Sequence, residues 1–192
     1  LPLKTNATMW THLEGFEDLS SGELDALIQA PVLITILVAG ADGDIDREER
    51  YWTDRLMQSR TYSKPKILNE FYRIVSTGFL EKVDKELETL PTDAQLRNVH
   101  VESLLKDLNP ILAKMDVFLA GDLYKSYIAL AREAALSSGG FLRIRAINAA
   151  EAEWVGLHMI RPIIKPKSKD HTDAAQDADE NWEGNVKDYL DE

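Results

Sequence analysis

The stretch Val32–Trp52, VLITILVAGADGDIDREERYW, decides the fold of this chain. Between Val32 and Ala41 only Thr35 and Gly40 are not clearly apolar. A helix that is apolar on every side has to be surrounded by other elements, so the run predicts a central buried helix. Gly43 suits the left-handed position just past a helix end. Asp46 is then a good N-cap. Glu49, three residues on, completes a capping-box-like pattern for a second helix reaching about Gln58. Between the two helices lie Asp42, Asp44, Asp46, Glu48 and Glu49, with no basic residue before Arg47.

Helix-end electrostatics explains only part of this acid. Asp46, Glu48 and Glu49 sit at a helix N-terminus, where negative charge gains about 0.3–1 kcal/mol at an exposed site. Asp42 lies at a helix C-terminus, where carbonyls already present partial negative charge, and Asp44 has no capping role. A hard cation would suit all five, with helix-end carbonyls as further oxygen ligands. Calcium is favoured, because it takes six to eight oxygens in irregular geometry. The expected ligands are Asp42, Asp44, Asp46 and Glu49, with Glu48 in reserve. The spacing Asp42-x-Asp44-x-Asp46 matches the first ligands of an EF-hand, but Arg47 stands where that loop needs Gly and Thr53 where it needs Glu. A plain acidic corner between two helices is the alternative.

The string Ala41-Asp42-Gly43-Asp44-Ile45-Asp46, followed by Glu48-Glu49 after an apolar helix, resembles the signature of the tellurite-resistance protein B (TerB-like) family. A second stretch, Ala135–Leu142 (ALSSGGFL), is similar to the corresponding turn in that family's second half. The resemblance covers roughly residues 20–162. It implies an all-helical, cytoplasmic protein linked to stress responses, with divalent metal at the acidic turn and no established enzymatic activity.

The length of 192 residues suits one domain, with a real core. The expected division is an N-terminal extension at 1–19, a helical domain at 20–164, and a linker with an acidic tail at 165–192. A net charge of −11 argues against general nucleic-acid binding. The absence of Cys removes disulfides and thiolate metal sites, and fits the cytoplasm. The longest apolar run is shorter than the about 20 residues a spanning helix needs, and no signal-peptide pattern opens the chain. At most peripheral membrane association is expected. The chain begins with Leu1, so completeness of the N-terminus stays open, as does oligomeric state.

Capping signals divide the rest into an all-α bundle of about seven helices. Trp10, Leu13 and Phe16 fall at helical spacing and predict a short docking helix. Ser20-Ser21-Gly22-Glu23 is a capping box, and Pro31 either kinks the helix that follows or splits it from the central one. A helical stripe runs over Ser63–Leu90, with Gly78 as a point of division. Thr92 opens the next helix as a Thr-x-x-Gln box. Asn109-Pro110 predicts the start of a long helix reaching about Leu136, and Asn148 that of a helix to about Ile160. Asp46, Glu49 and Trp52 share their spacing with Asn148, Glu151 and Trp154, which suggests two similar helix–turn–helix halves in pseudo-two-fold relation.

Arg143, Arg145, Arg161, Lys165, Lys167 and Lys169 form a basic region in an acidic chain, and Trp182 is placed to anchor the acidic tail on it. No Walker A, GxGxxG, GxSxG or HExxH motif occurs, and the four His are dispersed. Asp42 with Glu49 could do acid–base work, but no nucleophile accompanies them. The expected function is a non-catalytic cation-binding or partner-binding module. A metal-free protein-interaction scaffold is the alternative, and a metal-dependent enzyme a third. Protein partners are expected on either of the first two readings.

Overall fold

The computed structural model describes residues 13–40, 47–63, 66–138 and 154–166, and side chains at 47–49, 63, 137 and 138 are not described. Seven helices and no strand occur among the described residues. They are α1 (Ser21–Ala39), α2 (Arg47–Ser63), α3 (Lys66–Ser76), α4 (Phe79–Thr89), α5 (Ala94–Lys106), α6 (Leu108–Leu112) and α7 (Val117–Ser138). The all-helical bundle expected from the caps and periodicities is therefore what forms.

The predicted central helix, α1, touches α3, α4, α5, α6 and α7. Every residue from Ala30 to Ala39 is buried, which is why the sequence there has no polar face. By length and composition α1 is long enough to cross a membrane, and 72% of that window is buried inside the bundle. Burial against protein thus accounts for its apolarity. Its first turn is closed by the predicted capping box: Glu23 N donates to Ser20 Oγ, and Ser20 N to Glu23 Oε2 at 2.9 Å.

Pro31 lies inside α1 without dividing it. Proline has no N–H, so it leaves the carbonyl of Leu27, four residues back, without its helical donor. The Tyr127 hydroxyl of α7 supplies the missing donor, 2.8 Å from Leu27 O. One turn on, Thr35 Oγ1 donates to Pro31 O at 2.9 Å, so the buried hydroxyl is satisfied.

Several boundaries differ from expectation. Residues 13–19 form turns rather than a docking helix, but Leu13 and Phe16 are buried, and Phe16 stacks on Phe71. Helix α2 runs on to Ser63, beyond Gln58. Gly78, at φ +62°, divides α3 from α4 in the left-handed conformation that glycine adopts without strain. Lys82 donates to Ile74 O and Val75 O, putting a cation on the last carbonyls of α3.

The cap of α5 is Asp93, not Thr92: its Oδ1 accepts from Leu96 N at 2.9 Å. A carboxylate there gains from the helix dipole as well as from the hydrogen bond. The long helix starts at Val117 rather than Pro110, with Asp116 Oδ1 accepting from Phe118 N and Leu119 N. Asn109 is used otherwise. Its Nδ2 donates to Lys106 O and Met159 O, and its Oδ1 accepts from Arg161 N at 2.7 Å. The predicted last helix does not reach Ile160. After Trp154 the chain makes turns, with Leu157 buried at φ +42°, and 161–166 carry no regular structure.

Candidate functional site

The acidic turn falls between two placed helix ends. Asp42, Asp44 and Asp46 lie outside the described residues, as do the side chains of Glu48 and Glu49. The flanks are described. Gly40 N closes α1 on Ile36 O at 3.1 Å, and α2 is described from Arg47. Among the described residues no three His, Asp or Glu side chains gather where one metal ion would fit.

One expectation changes. The turn was to offer free helix-end carbonyls, but Gly40 O accepts from Arg97 Nη2 at 2.6 Å. Arg97 projects from α5 and is 5% exposed. A buried guanidinium thus already supplies positive charge at the negative end of α1. A cation in the turn would depend on carboxylates rather than on that carbonyl. Their donor chemistry fits a hard ion: four carboxylates, Asp42, Asp44, Asp46 and Glu49, outweigh one guanidinium. One residue along α5, Asn98 is 7% exposed, and its Oδ1 finds no hydrogen-bond partner among the described residues.

A second polar constellation lies at the junction of α2, α3 and α7. Arg60 of α2 is 1% exposed. Its Nη1 donates to Ser126 O at 3.1 Å and Ser126 Oγ at 3.0 Å, and its Nη2 to the Glu133 carboxylate. The guanidinium carbon lies 5.4 Å from the centre of the Tyr72 ring, and Tyr72 Oη is 2.6 Å from Ser126 Oγ. Burial pushes the phenols of Tyr72 and Tyr127 above their ordinary range; at Tyr72 this outweighs the opposing pull of Arg60. Both stay protonated at neutral pH; Tyr127 donates to Leu27 O, and Tyr72 shares a hydrogen bond with the Ser126 hydroxyl.

This group does not make a nucleophile of Ser126. Guanidinium only donates and a neutral phenol is no base, so neither can take the hydroxyl proton. Glu133, the carboxylate that the described residues bring to this group, is bonded to Arg60. The constellation is a clamp across three helices. Sequence reading missed it, although a signal exists: Thr53, Met57 and Arg60 fall at i, i+4 and i+7, one face of α2, and all are buried. A cation on an otherwise inward face announces a buried partner.

The basic region is only partly described. Arg143, Arg145, Lys167 and Lys169 lie outside the described residues. Lys165 pairs with Asp122, and its stem lies 3.0–3.1 Å from where a Cβ on Gly121 would stand. Glycine there lets the segment 161–166 lie against α7. His100 is exposed; His158 stacks on Trp154 and is 3.5 Å from Glu102. Comparison with protein-family models, curated proteins and solved structures finds no match.

Proposed function

We propose that this chain is a non-catalytic, cytoplasmic module of the tellurite-resistance type of stress response, governed by a divalent cation at the Asp42–Glu49 turn. Calcium is the favoured ion, and Asp42, Asp44, Asp46 and Glu49 are the proposed ligands. One observation supports this reading: in sequence the acidic segment connects two helices that are each anchored to the bundle. Arg97 ties Gly40 to α5 at one side, and Arg50, in the first turn of α2, pairs with Asp84 of α4 at the other. Neutralising the acids would lock α1 to α2, so occupancy would be felt by the whole bundle.

The test is calcium titration followed by NMR and thermal melting. Saturation at a hundredfold excess over Kd stabilises a fold by about 2.7 kcal/mol. Asp42→Asn and Asp44→Asn should be neutral or mildly stabilising without metal, since neither acid has a capping role, and should abolish the gain with it. Asp46→Ala should cost about 0.5–2 kcal/mol even without metal, as a lost cap. Unmoved melting curves and turn shifts in millimolar calcium, magnesium, manganese or zinc would leave the turn as structural acid.

The scaffold reading would then stand, and a separate feature favours it. On α2, Tyr51, Trp52 and Tyr62 are 54%, 48% and 75% exposed, and Arg55 lies over the Tyr51 ring. Trp, Tyr and Arg are the side chains that most often dominate binding energy in protein interfaces.

A further inference from the structure

A groove opens where the segment 161–166 crosses α6 and the start of α7. Its volume is about 260 Å³, and Leu112, Met115, Val117, Ala120, Pro162 and Ile163 supply most of its apolar wall. Drug-sized ligands occupy pockets of about 300–1,000 Å³, so this one suits a single large side chain. Among the described residues Arg161 is the one charged member of the lining, and none of them is a carboxylate. Next in sequence to the lining residues Val117 and Ile163, Phe118 is 47% and Ile164 86% exposed.

We propose that the groove is the seat of this chain's own C-terminal tail, with Trp182 inserted in it and Glu180 or Glu183 on Arg161. Three features select this occupant. First, the described chain ends at Pro166, three residues past the groove-lining Ile163, and about fifteen residues separate Pro166 from Trp182. That length spans up to ~50 Å when extended, so reach is not limiting. Second, residues 167–192 carry nine acids against three Lys, matching an anion to a groove whose charge is a cation. Third, Trp182 is the only Trp, and the largest apolar side chain, in that stretch. A tethered segment acts at millimolar effective concentration, so one aromatic anchor and one ion pair suffice for reversible docking.

The chain has no Cys, so Ala178→Cys gives a single attachment point for a nitroxide. In the full chain at low salt, the methyl signals of Leu112, Met115, Val117 and Ile163 should lose intensity. The loss should vanish in Trp182→Ala, and also in Val117→Glu, which puts a repelling charge at a half-exposed groove position at the start of α7. Unchanged signals of Leu37 and Val101 in both variants would show that the fold is intact. Groove methyls that keep full intensity would overturn the proposal. So would a loss that persists in Trp182→Ala. A loss seen when labelled, isotope-free chains are mixed with isotope-labelled, nitroxide-free ones would assign the groove to the tail of a second copy and overturn docking within one chain. Calcium plays no part in this test, so its outcome is independent of the metal reading.

Discussion

Two buried side chains are asked to do work that their local sequence does not announce. Tyr127 replaces the hydrogen bond that Pro31 removes from α1, by donating to Leu27 O. Losing a donor to a buried acceptor costs about 1–3 kcal/mol, so Tyr127→Phe should destabilise by that amount. The cost should depend on Pro31. In a Pro31→Ala background the alanine N–H can return to Leu27 O, and the same Tyr127→Phe change should cost less than about 1 kcal/mol. Urea unfolding of the four proteins measures the coupling, and equal costs in both backgrounds would disprove the replacement. Arg60 makes a different demand. Its charge is buried while that of Glu133 is about half exposed. Removing Glu133 strands a buried cation, whereas removing Arg60 leaves a carboxylate that water can reach but opens a cavity and leaves Ser126 Oγ with Tyr72 alone. Arg60→Ala should cost about 2–5 kcal/mol, chiefly through the cavity it opens. Arg60→Met, which keeps the stem, should recover part of that, as hydrophobic isosteres of buried charges often do. Equal melting temperatures for the two variants would argue that packing contributes little at Arg60.

At the level of the element, the capping box of α1 is a junction with α6–α7 as well as a helix start. The Glu23 carboxyl is held down at about 2, first by its hydrogen bond to Lys114 and then by those to Ser20. Its folded value lies below the unfolded one, so the stabilisation is complete above about pH 4.5 and is lost as pH falls toward 2. Glu23→Gln should therefore lower the melting temperature at pH 7, and the gap from wild type should close between pH 4.5 and 2. A gap that stays constant across that window would mean the charge on Glu23 is not what the cap uses. Helix starts of this kind were legible because both partners sit within three residues of each other. Ser20 with Glu23 could be read directly. The start of α7 could not, because Asn109-Pro110 carries the same local signal as a cap and only the contacts to Met159 and Arg161 divert it. Thr92 was displaced by Asp93 for a smaller reason, two adjacent residues competing for one role. The candidate site divides along the same line. Its acids were legible because they are contiguous, while Arg97 on Gly40 lies 57 residues away in sequence and no periodicity reports it.

For the molecule as a whole, the balance of charge decides how it meets its solvent. The chain carries 22 basic and 33 acidic residues. Described pairs such as Arg50 with Asp84 and Lys114 with Glu23 are partly exposed and act only at contact range, and pairs of that kind contribute about 0–1 kcal/mol each. The surplus acid acts over longer distances, as self-repulsion that destabilises the compact state. The two terms respond to salt with opposite sign. Screening length falls from about 30 Å at 0.01 M to about 10 Å at 0.1 M. It therefore shrinks from about the width of a small domain to a few side chains, while an ion pair in contact still sits inside it. Repulsion is screened first, so the melting temperature should rise from 0.01 to about 0.1 M sodium chloride and flatten beyond. The buried clamps, Arg60 on Ser126 and Arg97 on Gly40, are shielded from the ions and should not reverse the trend. Calorimetry across a salt series at pH 7 provides the measurement. A melting temperature that falls steadily with salt would mean that local ion pairs, not net charge, dominate the surface. The same series fixes the baseline for the metal test: a cation bound in the acidic turn must stabilise beyond what sodium gives at equal ionic strength, because screening depends on ionic strength and binding depends on the ion.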